Sequence, residues 1–219
     1  MKRKSLIIFL CIALMLLSGC KTQSTLDKYV SELRSNCYES VDSNIPITAS
    51  YGYHEKMPNL DGSITQKVYV LIFRLKNNQN ENVTYHVSLK HNGKEYKSTF
   101  KLNAVSHMHC AIMPVENFNL NEFEINLSYS SINQTVKMKS TLPKGTISHS
   151  KALEYLQKHQ SELINSYFVN GKFSAEICTR VLVKDNHPYW YIGLSNEKGT
   201  KALLIDGFTG EVLAVRDIF

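Results

Sequence analysis

The sequence predicts two domains: an all-β sandwich, then a small α+β unit with a helix packed on a four-stranded antiparallel sheet. Three observations carry this prediction. Between Ile45 and Ser140 the chain divides into seven short runs that alternate polar and apolar residues, the period-2 pattern of half-buried strands. From His149 to Ile164 apolar residues recur at helical spacing. Beyond Lys172 the period returns to two in four further runs.

The N-terminus opens with a basic "MKRK" and the apolar run "LIIFLCIALMLL", Leu6 to Leu17. That run is short of the ~20 residues a membrane-spanning helix needs and has the length of a secretory leader's apolar region. "LSGC", Leu17 to Cys20, follows. Small residues ahead of a cysteine resemble the lipobox of bacterial lipoproteins. The resemblance implies that residues 1–19 are a signal peptide and that Cys20 becomes the N-terminus, carrying diacylglycerol on its thiol. Two acyl chains give stable anchoring where one is marginal. The expected location is the cell membrane or an outer membrane, lipid-anchored and facing away from the cytoplasm. Lys21 follows the cysteine; an Asp there would imply inner-membrane retention in a two-membrane host.

Residues 20–43 read as a lipidated tether with a short helix. Leu26, Val30, Leu33 and Cys37 form a narrow stripe at helical spacing, beside Tyr29, and Ser24 or Thr25 can cap it.

Residues 44–141 form the predicted sandwich. Its strands are "ITASYGY", "QKVYVLIFRLK", "NVTYHVSLK", "KEYKSTFKL", "VSHMHCAIM", "NEFEINLSYS" and "INQTVKMKS". Asn92-Gly93 marks a two-residue hairpin, because both residues tolerate positive φ. Short antiparallel strands without a helix suggest an immunoglobulin- or fibronectin-like sandwich, although the Cys…Trp…Cys signature is missing.

"TLPKGTIS", Thr141 to Ser148, reads as a linker with Pro143 and Gly145 as breakers. The last unit covers residues 146–219. Its helix carries Ala152, Leu153, Leu156, Leu163 and Ile164 on one face, with Gln160 interrupting the stripe near Lys158. Four strands follow: "KFSAEICTRVLVK", "PYWYIGLSN", "TKALLID" and "GEVLAVRDIF". This order, with "IDGFTGEVLAV" at its end, resembles the PepSY domain, whose last strands are joined by an Asp-x-x-Thr-Gly-Glu type turn; Asp206, Thr209, Gly210 and Glu211 match it. The resemblance implies a module that binds or restrains proteins, secreted peptidases among them, and brings no catalytic residues. The residues themselves read as a turn: Gly207 and Gly210 permit positive φ, and Asp206 and Thr209 can bond its backbone. An acid/base pair of Asp206 and Glu211 would stand on an exposed turn with nothing to shift its pKa.

Composition narrows the function. With 43% hydrophobic and 20% charged residues the chain is ordinary globular material. Lys2, Arg3 and Lys4 supply half of the net +6, so the processed chain carries about +3 with no basic cluster, which argues against nucleic acid. Cys11 leaves with the leader, and the spacing of Cys37, Cys110 and Cys178 fixes no disulfide pairing. His107 and His109 share a strand face, with Cys110 on the other. A zinc site would need His54, His86 or His91 brought alongside, so we read the pair as solvated histidines. No Ser–His–Asp arrangement and no HExxH helix is present. No catalytic residue, cofactor or metal ligand is therefore assigned, and the chain reads as a binding protein, not an enzyme.

The candidate binding face is on the last unit. Alternation sends Trp190, Ile192 and Leu194 toward the helix and sends Tyr189 and Tyr191 the other way, alongside Glu176, Cys178, Arg180 and Leu182. Arg180, Tyr189 and Tyr191 give that face a composition enriched at interfaces; packing against the sandwich is the alternative use of it. The expected function is a membrane-anchored surface lipoprotein that binds another exported protein or modulates a peptidase. The alternative is a structural or ligand-capturing envelope lipoprotein working through the sandwich.

Overall fold

Apolar alternation places strands wherever one side of the chain can be buried. The structure, a computed structural model, describes residues 25–41, 44–56, 64–75, 83–103 and 108–218. The expected signal peptide (residues 1–19), Cys20 and His107 lie outside the described residues. After a 3₁₀ turn at Asp27–Tyr29 come β1 (Val30–Val41), β2 (Ile47–Glu55), β3 (Lys67–Leu75), β4 (Tyr85–His91) and β5 (Lys94–Thr99). Then follow β6 (Lys101–Asn103), β7 (Met108–Pro114), β8 (Glu122–Tyr129) and β9 (Ile132–Ser140). Two helices, α1 (His149–His159) and α2 (Ser161–Ser166), lead to a small hairpin of β10 (Phe168–Val169) and β11 (Lys172–Phe173). The chain closes with β12 (Glu176–Lys184), β13 (His187–Asn196), β14 (Gly199–Asp206) and β15 (Val212–Ile218).

The architecture corrects the predicted fold class. Among the described residues there is no separate sandwich followed by an α+β unit with its own four-stranded sheet. One 13-stranded sheet runs β15-β14-β13-β12-β1-β2-β3-β7-β6, and β9, β8, β4 and β5 branch from it through β1. The join is β1 itself. Its first half pairs in parallel with β12 (Leu33 opposite Thr179), its second half pairs antiparallel with β9 (Tyr38 opposite Ser140), and β2 lines its other edge. The sheet curls until β5 meets β7, where Ser98 Oγ donates to the Ile112 carbonyl at 2.8 Å.

The short helix expected in residues 20–43 is also corrected: Val30–Val41 is a strand. Its pairing slips between Val30 and Glu32 and again between Arg34 and Asn36. An extra residue in a bulge offsets the two-residue period, so Val30 and Leu33, three apart, both reach one core. That is how the strand imitates a helical stripe. The second slip brings the Leu33 carbonyl against Gly52, where a Cβ would lie 1.7 Å from Leu33 O. Only glycine fits there.

Two cores result. Inside the curl, Tyr38, Phe73, Phe118, Phe123 and Leu127 are buried together, with the Tyr38 and Phe123 rings edge-on at 5.0 Å. The second core joins Leu26, Val30, Leu33 and Tyr53 from the N-terminal strands to Leu153 and Leu156 of α1 and Trp190, Ile192 and Leu194 of β13. The Ser148 Oγ caps α1 by accepting from Lys151 N, and the helical run breaks at Gln160 (φ −127, ψ 39). The connecting segment is tied into the fold: Thr141 N donates to Cys37 O and Ile147 N to Gly207 O.

Candidate functional site

The predicted face is assembled by β12 and β13, whose register sets Arg180 opposite Tyr191 and Leu182 opposite Tyr189. On the reverse side Trp190 is 2% exposed, and its Nε1 donates to the Ile147 carbonyl at 3.0 Å, which fixes the strand behind the face. In front, Tyr189 and Tyr191 are half-buried, Arg180 is exposed and Leu182 is 46% exposed. Because β12 meets β1 edge to edge, that junction consumes the strand's hydrogen-bonding edge and leaves its side-chain face unstacked by β1.

Arg180 does not stand alone. Its Nε donates to Glu32 Oε1 at 3.1 Å, and Arg34 Nη2 is 3.4 Å from the same oxygen. Burial would raise the Glu32 pKa, but Arg34 and Arg180 outweigh it and hold the carboxyl below its usual range. The neighbouring Cys178 thiol is pushed up to about 12 by burial and by Glu32, so it stays a thiol at neutral pH. Glu32 and Arg34 were missed as members of this face because their strand read as a helix. The signal was available: Glu32 and Arg34 alternate along a segment that also carries Val30, Tyr38 and Val41.

The face continues into the β14–β15 connection. Asp206 Oδ1 accepts from Phe208 N and Thr209 N, both at 2.8 Å, and Asp206 N donates to Glu211 O. Gly210 takes φ +79 and lies against Tyr155 of α1, where a Cβ would meet the ring at 2.1 Å. The second Asp206 oxygen is 2.7 Å from His187 Nε2. The His187 ring packs on Tyr189 and Phe208 at 4.8 and 5.0 Å, so an aromatic rim borders Tyr189. Asp206 thus builds a turn and anchors that rim.

The histidines are dispersed. His86 Nδ1 pairs with Thr99 Oγ1, His54 with the Glu55 carbonyl and His91 packs on Phe118, while His109, expected to be solvated, is instead buried against Tyr85. Among the described residues, no three His, Cys, Asp or Glu side chains gather as metal ligands. Cys37, Cys110 and Cys178 are unpaired. A cleft of about 610 Å³ opens between the two cores, lined by Asn36, Asn117, Asn119, Asn121, Phe118 and His149 among others. No helix among the described residues is long and apolar enough to cross a membrane. No protein-family profile, curated protein or solved structure matches the chain.

Proposed function

We propose that the chain is an envelope lipoprotein, held by a diacylated Cys20, that binds another exported protein through the face around Arg180, Tyr189 and Tyr191. The observation carrying this reading is that face itself: an Arg, two tyrosines and an exposed leucine on a sheet whose other side is locked by Trp190. Rigid aromatic and Arg side chains are the residue types that dominate binding energy at protein interfaces. The resemblance of Leu17–Cys20 to a lipobox supports the location, and the Asp206–Glu211 turn, which resembles the PepSY pattern, supports the partner class, another exported protein or a peptidase. The action is capture or restraint, not turnover.

The test is the double substitution Arg180→Ala with Tyr191→Ala, together with a photo-crosslinking residue at Tyr189 in the envelope-bound protein. Expected is an adduct with an exported peptidase that the double substitution removes, at nearly unchanged melting temperature, since both side chains are partly exposed and Glu32 keeps Arg34. Capture that persists undiminished refutes the face. A melting temperature that collapses shows that it serves the fold. A second reading, capture of a small polar ligand, is favoured by the asparagine-lined cleft; ligand binding abolished by Asn119→Ala and insensitive to Arg180→Ala would establish it.

A further inference from the structure

The hairpin β10–β11 turns through Asn170 (φ 51) and Gly171 (φ 75), the positive-φ pair that closes a two-residue loop. Phe168 stands opposite Phe173, and Val169 opposite Lys172. Phe173 is buried, yet Phe168 is 37% and Val169 56% exposed. Phe168 touches the core through its edge-on contact with Phe173 at 5.2 Å, and much of the tip stays outside. Its position is informative. The Phe168 and Phe173 rings lie 6.4 and 4.7 Å from the ring of Tyr29, so the tip flanks the first turn of the described chain. Lys28 stands over the Tyr29 ring at 4.9 Å, and Lys172 and Lys28 are both exposed. The acidic residue on the adjoining helix, Glu162, is at the opposite end of α2 from the hairpin.

From Cys20 to Thr25 is five residues, a reach of at most ~18 Å when fully extended. A chain anchored at Cys20 therefore keeps its Tyr29 end close to the lipid surface. We infer that the Phe168–Val169 tip is a membrane-docking wedge, seated in the headgroup region of an anionic bilayer with Lys28 and Lys172 beside it. This rests on the lipoprotein reading above. Exposed apolar side chains such as Phe seat in the headgroup–acyl boundary, and lysines beside it are drawn to anionic lipid. Docking would turn a tether into a fixed orientation, with β1 pointing away from the membrane.

The experiment uses the full chain carrying Val169→Trp, expressed with its own leader and reconstituted in phosphatidylglycerol/phosphatidylcholine vesicles with plain or brominated acyl chains. Trp190 is the single native Trp and is 2% exposed, so its emission is a constant background. Emission from V169W should fall by about half in brominated lipid, the response of a side chain seated ~5–10 Å deep. The control is Ile132→Trp. In β9, Lys137 stands opposite Val41, so Ile132, 47% exposed, continues past the far end of β1, and I132W should not be quenched. Adding Lys28→Glu and Lys172→Glu should reduce the V169W response on anionic vesicles and leave it unaltered on neutral ones. The intact mass of the same preparation separates the two readings. Diacylated Cys20 with unquenched V169W, or with I132W quenched equally, overturns the wedge and leaves the anchor standing. Unmodified Cys20 in a soluble chain overturns both.

Discussion

Gly52→Ala should unseat the strand on which both cores depend. The new Cβ would sit 1.7 Å from Leu33 O, 2.6 Å from Leu33 C and 2.9 Å from Arg34 Cα. All three are backbone atoms, so no side-chain rotation relieves the overlap and β1 itself must move. Overpacking that shifts backbone costs roughly 1–3 kcal/mol. The displacement also strains Arg34, whose Nη1 donates to Leu33 O at 3.0 Å and to Tyr53 O at 2.9 Å. Losing one hydrogen bond of a charged donor adds roughly 1.5–3 kcal/mol, so the expected loss is about 4 kcal/mol. Against a typical domain stability of about 5–15 kcal/mol that is severe. A urea titration should show a lower midpoint at unchanged slope. Gly193→Ala is the control: its nearest neighbour is the movable Tyr191 hydroxyl at 3.3 Å, and its cost should stay below about 1 kcal/mol. A G52A protein within about 1 kcal/mol of the parent would refute the claim that the bulge of β1 requires glycine.

Two pH predictions follow from buried or bonded groups. Burial pushes His149 below its ordinary 6.5, Asp27 pulls it partly back, and Lys67 lowers it further. The fold therefore favours the neutral ring, and this stability is present above 6.5 and lost as pH falls through the lowered value. Melting temperature should decline as pH falls from 6.5 to that lowered value in the parent and decline less in His149→Gln; parallel profiles would show that the site is not coupled to folding. Burial raises Asp206, but the Thr209 and Phe208 amides and His187 outweigh it and bring the group down from 3.8 to about 2. Its contribution is present above 3.8 and lost as pH falls toward 2. Asp206→Asn should lower neutral-pH stability and flatten that acid limb, and an unchanged limb would mean that the turn is indifferent to the charge.

Seven of the eight strands β2–β9 were legible from their own alternation, and Asn92-Gly93 announces a turn; β6 was read as the tail of β5, because Lys101–Asn103 is exposed throughout and carries no alternation. The same signal at Asn170-Gly171 went unread, since two-residue strands leave no period to detect. Arg180, Tyr189 and Tyr191 fall on one face as their spacing predicts. Their partner Glu32 did not emerge, because two bulges gave β1 the spacing of a helix. The single sheet was hidden for another reason. Ser31 Oγ donates to the Ile177 carbonyl across 146 positions, and a parallel pairing so distant leaves no mark in local periodicity. Parallel strands require a long crossover, and here β2–β9, both helices and the β10–β11 hairpin form it.

That crossover also sets an order of assembly. Synthesis delivers β1 ahead of its partners, yet its second edge is completed only by β9 and β12, the latter beginning at Glu176. Until then β1 keeps one edge of open hydrogen-bonding groups, held in waiting by β2 alone. Long-range closure slows folding, and an unpaired edge invites intermolecular pairing. Truncation after β9 should accordingly yield chains that aggregate through β1, and the full-length protein should acquire protease resistance only once β12 has been delivered.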